Sequence, residues 1–327
     1  MNRVIEGFVL AVMLTALPVG LARAAQDNGA LAEANKLFDR GNKFVEDGSL
    51  PRAKQEFEKA LKVYPKHLNA LYNLGVVCER LGQKGAAIDQ YKRYVEIKPD
   101  DADVWTQLGV LYDETGSKNE ARHAYEKALE INPKFGRAHH NLGVLLKEEG
   151  DLKGAEQHLA QFVKLEEEAG RQDGDAYYSL GILYLQEMRD VDAKMQMQKA
   201  IDIDPSVPHF NNAMGDIYLV EKRPDLSIIY YQKAIEKDPK YALAYSGLGD
   251  AYAQSKERDK AVAAYRKALE LRPDYALVYY KLGLLYEDSN TAEAIKQFEK
   301  YLQSGKTQQY RDEVAAKIEA LKLTLKP

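Results

Sequence analysis

Six histidines, one cysteine and many carboxylates are the residues of this 327-residue chain that could do chemistry. His67, His123, His139, His140, His158 and His209 include no HxxxH pair, the spacing that puts two imidazoles on one helical face, so no metal site is expected. Cys78 stands alone, which excludes an intramolecular disulfide framework and any multi-cysteine metal or iron–sulfur site. No G-x-S-x-G, P-loop or dinucleotide fingerprint occurs, and the glycines are spread along the chain where a phosphate cradle would gather them. Runs such as Glu166-Glu167-Glu168 fit solvated faces. What remains is hydrogen bonding. Asn73, Gln107 and Asn141 recur at a 34-residue interval. Side-chain amides donate and accept, so such a row can pair with the backbone of an extended peptide; plain solvent exposure is the alternative.

That interval organises most of the chain. Glycines following a large apolar residue fall at Gly75, Gly109, Gly143, Gly181, Gly215, Gly249 and Gly283, and Gly41 stands one period earlier. The spacing is 34 throughout, except for 38 between Gly143 and Gly181. Small residues stand twelve positions after the first seven anchors (Ala53, Ala87, Ala121, Ala155, Ala193, Ser227, Ala261). Large ones stand sixteen after: Phe57, Tyr91, Tyr125, Leu159, Met197, Tyr231 and Tyr265. Prolines stand twenty-four after, with Glu167 as the exception. The eighth unit is one residue short, so Ala294 and Phe298 take its small and aromatic slots.

Each unit carries two amphipathic helical patterns. In the third, Val104, Leu108, Leu111 and Tyr112 share one face, Gly116 ends the helix, Ser117 can cap the next, and Pro133 stops it. A mid-helix glycine costs about 1 kcal/mol against alanine, so eight of them imply close approach of the paired helix. In the long interval, four extra residues predict a second helix one turn longer, then a loop through Gly170 to Gly174; a hinge there is the functional version.

The small–aromatic–small–proline order resembles the tetratricopeptide repeat family over residues 34 to about 306. Only Trp105 supplies the family's early tryptophan. The resemblance implies an all-α, right-handed superhelical solenoid of eight helix-turn-helix units: 34–67, 68–101, 102–135, 136–173, 174–207, 208–241, 242–275 and 276–306. Residues 307–327 are expected to form a capping helix, with Thr307 at its start and Val314, Ile318, Leu321 and Leu325 as its apolar stripe. In this family the first helix of each unit lines a concave groove. Carried onto this sequence, that groove holds Asn69, Tyr72, Asn73, Gln107, Arg137, His140, Asn141, Tyr178, Asn212 and Asp216. The lysine–asparagine pattern with which some members clamp a chaperone's C-terminal carboxylate is absent, since Phe38/Asn42, Tyr72/Val76 and His140/Val144 hold those slots.

The ends and the composition address location and partners. Arg3, the apolar run Phe8 to Leu17, the break at Pro18 and Gly20, and Ala22-Arg23-Ala24 form a secretory signal pattern over 1–24, leaving a short tail at 25–33. An uncleaved anchor is the alternative, although the run is short of the roughly 20 residues of a membrane span. Net charge is −4; losing Arg3, Glu6 and Arg23 takes it to −5, so a nucleic-acid partner is not expected. The sequence-level expectation is an exported protein of a Gram-negative periplasm, without cofactor or catalytic residues. It would bind a protein or peptide during assembly of a cell-envelope complex. Two rivals stand beside it: a self-assembling homo-oligomer, and a glycan or peptidoglycan binder using Tyr72, Tyr178 and Tyr280.

Overall fold

The computed structural model describes residues 19–304 and 310–324, with side chains from Asp27 onward. Most of the 1–24 segment, Thr307 and Leu325 lie outside the described residues. Among those described, all regular structure is helical. The first six elements are α1 Val19–Glu46, α2 Leu50–Val63, α3 Leu68–Arg80, α4 Lys84–Ile97, α5 Ala102–Glu114 and α6 Lys118–Ile131. They are followed by α7 Gly136–Glu149, α8 Leu152–Glu168, α9 Gly174–Gln186, α10 Asp190–Ile203, α11 Pro208–Val220 and α12 Pro224–Lys237. The last five are α13 Ala242–Gln254, α14 Arg258–Leu271, α15 Ala276–Tyr286, α16 Thr291–Gln303 and α17 Arg311–Thr324. Residues 27–33 continue α1 as helix. The chain forms two compact units, residues 1–141 and 142–327, dividing inside α7 and not at the four extra residues.

Within each unit, successive helices pair as hairpins around the anchor glycines. A Cβ added at Gly75 would lie 2.5 Å from the Tyr91 ring, one at Gly143 2.7 Å from Leu159, and one at Gly181 2.9 Å from Met197. Gly109 meets Tyr125 in the same way, Gly249 meets Tyr265, and Gly283 meets Phe298. The large residue of the second helix thus lies on the bare backbone of the first, and the small residues twelve after the first seven anchors, with Ala294 in the eighth unit, are fully buried beside it.

Helix ends follow from local chemistry. Tyr64, Lys98, Asn132, Asp204, Asp238 and Arg272 each precede a proline, have extended backbone, and close a second helix. Where Glu167 replaces proline, α8 runs on to 17 residues against 14 for its counterparts, then turns at Gly170 with φ +65°. Arg171 folds back there and pairs with Glu166 through two 2.6 Å bonds. First helices are capped by Asp101, Asp173 and His67, whose Nδ1 accepts the Ala70 amide at 3.1 Å. Ser117 holds an N-cap position but its side chain makes no capping bond, so that expected cap is backbone only. The turn inside each hairpin needs a left-handed residue. Gly48, Gly82, Gly116 and Gly150 supply it in the first four repeats, whereas Met188, Lys222 and Lys256 adopt φ of 59°, 58° and 62° in the next three. At the C-terminus, Val314 and Ile318 of α17 bury against Phe298 and Tyr301 and cover the last hairpin.

Candidate functional site

In the first unit, the first helices α1, α3 and α5, with Tyr94 of α4, border a cleft of about 350 Å³ lined by Phe38, Asn69, Tyr72, Asn73, Tyr94, Asp101, Asp103 and Val104. Tyr72 is 40% exposed and lies against Tyr91 and Tyr94, at ring separations of 5.8 and 6.3 Å. The cleft therefore has an aromatic floor and a rim of amides and carboxylates. Tyr94 donates to Asp101 at 2.8 Å. Burial and that bond raise the Tyr94 hydroxyl's pKa. Burial opposes ionisation of Asp101, yet bonds from Tyr94, Lys98 and the Val104 amide outweigh it and hold the carboxyl below its usual range. The cleft brings together Asn69, Tyr72 and Asn73 of the expected groove. Arg137 stands at its edge, 3.8 Å from Asp103, with both side chains exposed. Asn141 and His140 are half-buried on α7.

The amides are not a free row. Asn73 donates to Asn42 at 2.8 Å, and Gln107 donates to Glu79 at 2.7 Å. Each already ties its repeat to the previous one. Three positions before an anchor, where other repeats place Tyr72 and Tyr178 of the expected groove, Thr106 and Ser246 are buried. Thr106 turns its hydroxyl back onto the Ala102 carbonyl.

In the second unit, tyrosines that fill the glycine gaps pass through the hairpin to carboxylates on the first helices. Tyr231 donates to Asp216 at 2.5 Å and Tyr265 to Asp250 at 2.6 Å. Tyr91 does the same to Glu79 in the first unit, at 2.5 Å. Asn212 Nδ2 adds a bond to the second oxygen of Asp216 at 3.0 Å, and Lys281 pairs with Asp250 at 2.5 Å. Asp216 is solvent-reachable yet walled by protein. That crowding, with Asp250 adding repulsion, outweighs the Tyr231 bond and pushes its pKa up to about 6. Tyr178 stands nearby in an edge-on contact with His209 at 4.7 Å. Tyr280 is less available than expected, since it stacks on Tyr310 at 4.5 Å and donates to Glu313.

The groove register also carries Asp250, whereas Tyr231, which the spacing marks only as a packing residue, was missed as a site residue. Among the described residues no group of three or more His, Cys, Asp or Glu is placed to hold a metal ion. No described helix is long and apolar enough to cross a membrane.

Six tetratricopeptide repeat models match the chain, at residues 38–102, 102–135, 124–157, 208–241, 249–290 and 277–304, and together they cover more than half of it. No curated protein matches the chain. Among solved structures, one chain of the APC/C hetero-tetramer Cut9–Hcn1 matches at 20% identity and TM-score 0.62. That match covers 89% of this chain, which spans 55% of that one. PilF of Pseudomonas aeruginosa matches at 17% identity and TM-score 0.54, over 67% of this chain and 96% of its own. Both likenesses concern the fold. The glycine gaps filled sixteen residues on, the proline-stopped second helices and the six matching models agree, and the chain belongs to the tetratricopeptide repeat family.

Proposed function

We propose that this chain is an exported, non-enzymatic scaffold whose repeats capture an extended protein segment during assembly of a cell-envelope complex in a Gram-negative periplasm. The cleft of the first unit supports this reading best. It offers an exposed aromatic floor at Tyr72 with Asn69, Asn73 and Asp103 around it, the mixture that holds a peptide by side-chain anchoring and backbone hydrogen bonds. The secretory pattern in 1–24 supports the location. A photo-crosslinking residue placed at Tyr72 in the native host tests both parts. Adducts with one envelope protein, recovered from the periplasmic fraction and lost in Asn73→Ala, are expected. Only cytoplasmic protein, or no specific adduct, overturns the reading.

A second reading, self-association, is favoured by one observation. Met188, Val191, Met195, Val220 and Ile229 are all exposed, Met188 by 87% and Val220 by 74%. Light scattering decides it: a dimer that reverts to monomer in Val191→Glu/Met195→Glu supports it, and a monomer at high concentration rejects it.

A further inference from the structure

A repeated tie joins neighbouring units on the face formed by the first helices. Where the residue just after an anchor glycine is polar, the next unit sends a side chain from two positions before its own anchor. Asn73 reaches Asn42 in this way, and Lys281 reaches Asp250. Asp216 is the third polar residue in that register, and the position that should answer it is Gly247. Gly247 cannot carry a side chain without displacing Tyr231, whose ring and hydroxyl occupy the space an added Cβ would take. Tyr231 in turn donates to Asp216. The fold thus withholds from Asp216 the direct ion pair that it gives Asp250 one repeat later.

What touches Asp216 is neutral; Asp250 repels it and Lys281 attracts it, but only at longer range, because the Lys281 ammonium is held by Asp250. Its two oxygens accept from the Tyr231 hydroxyl at 2.5 Å and from Asn212 Nδ2 at 3.0 Å, and among the described residues no cation pairs with it. The Oδ1 of the same Asn212 amide is enclosed and has no donor among the described residues. Tyr178 of α9 and Tyr241, which precedes α13, both lie within electrostatic reach of the carboxylate. A carboxylate with no directly paired cation, an unanswered amide oxygen and aromatic rings together suit a cation.

We propose that this place on the second unit receives a lysine or arginine side chain of the captured segment, which takes the position Lys281 occupies in the following repeat. The inference rests on the reading of the array as a binder of extended protein segments, and adds that the segment is basic where it crosses α11 and α13.

A random peptide library displayed on phage and panned against the full chain at pH 7.5 tests it. Enriched peptides should carry lysine or arginine at one shared position. A synthetic copy should bind at least tenfold more tightly than its glutamine counterpart by fluorescence anisotropy. In Asp216→Asn that preference should fall below twofold, with the circular dichroism spectrum unchanged; the amide keeps the shape of the carboxyl group, and Asp216→Ser replaces it if the fold suffers. Enriched peptides without a basic residue, or a preference that survives both substitutions, overturn the inference while leaving peptide capture standing. Absence of any enrichment removes both.

Discussion

Asp216 carries a cost that the Tyr231 hydroxyl and the Lys281 ammonium relieve only in part. Its carboxyl titrates near pH 6, above the ordinary range for an aspartate, because the surrounding protein and Asp250 disfavour the charge. Between the ordinary aspartate pKa and about 6 the folded chain binds more protons here than the unfolded chain. This group's contribution to stability is therefore fully present at low pH and is lost as pH rises through 6. Asp216→Asn should raise the melting temperature at pH 7.5, with the gain fading as the pH is lowered to 4.5. An equal gain at both pH values would locate the effect in packing and not in charge. His67 contributes with the opposite sign. Burial lowers its pKa, and the neutral ring caps α3, so its contribution is present at neutral pH and is lost on acidification. The amides at positions 73 and 107 were visible in the sequence as a recurrent feature. Their partners Asn42 and Glu79 were not, because cross-repeat contacts depend on the rotation between hairpins, which spacing alone does not encode.

Hairpin formation turns on the glycine gaps. A side chain at Gly109 would have to displace Tyr125, a fully buried ring with no room to withdraw. Gly109→Leu should cost at least the roughly 1–3 kcal/mol typical of overpacking, read from urea unfolding, and Tyr125→Ala in the same chain should return part of it. Equal stability of Gly109→Leu and the parent would show that close approach is not what holds this residue. Most of this level was legible in the sequence. Glycine, alanine and aromatic spacing gave the hairpins, and the missing proline at Glu167 announced the longer α8. The exception at Ser117 is instructive: residue type marked the helix start, but its rotamer and backbone left the hydroxyl out of the cap.

At the level of the whole molecule, the contacts divide the chain between Asn141 and Leu142, although the sequence irregularity lies some thirty residues later. The insertion is tied down locally, Arg171 pairing with Glu166. In a repeat array stability is a sum over units and their interfaces, so the two units need not unfold together. Trp105 is the only tryptophan and belongs to the first unit. Its fluorescence and the far-ultraviolet circular dichroism of the whole chain should give different midpoints in urea, and superimposable curves would mean one cooperative body. The hairpin turns extend this asymmetry. Met188, Lys222 and Lys256 hold a backbone region in which a Cβ is crowded, at a cost on the order of 1–3 kcal/mol each, where earlier repeats use glycine. Converting all three to glycine should therefore raise the melting temperature of the second unit. An engineer could harden this chain by copying its own N-terminal half, at three surface positions that lie outside both the first-unit cleft and the Asp216 site.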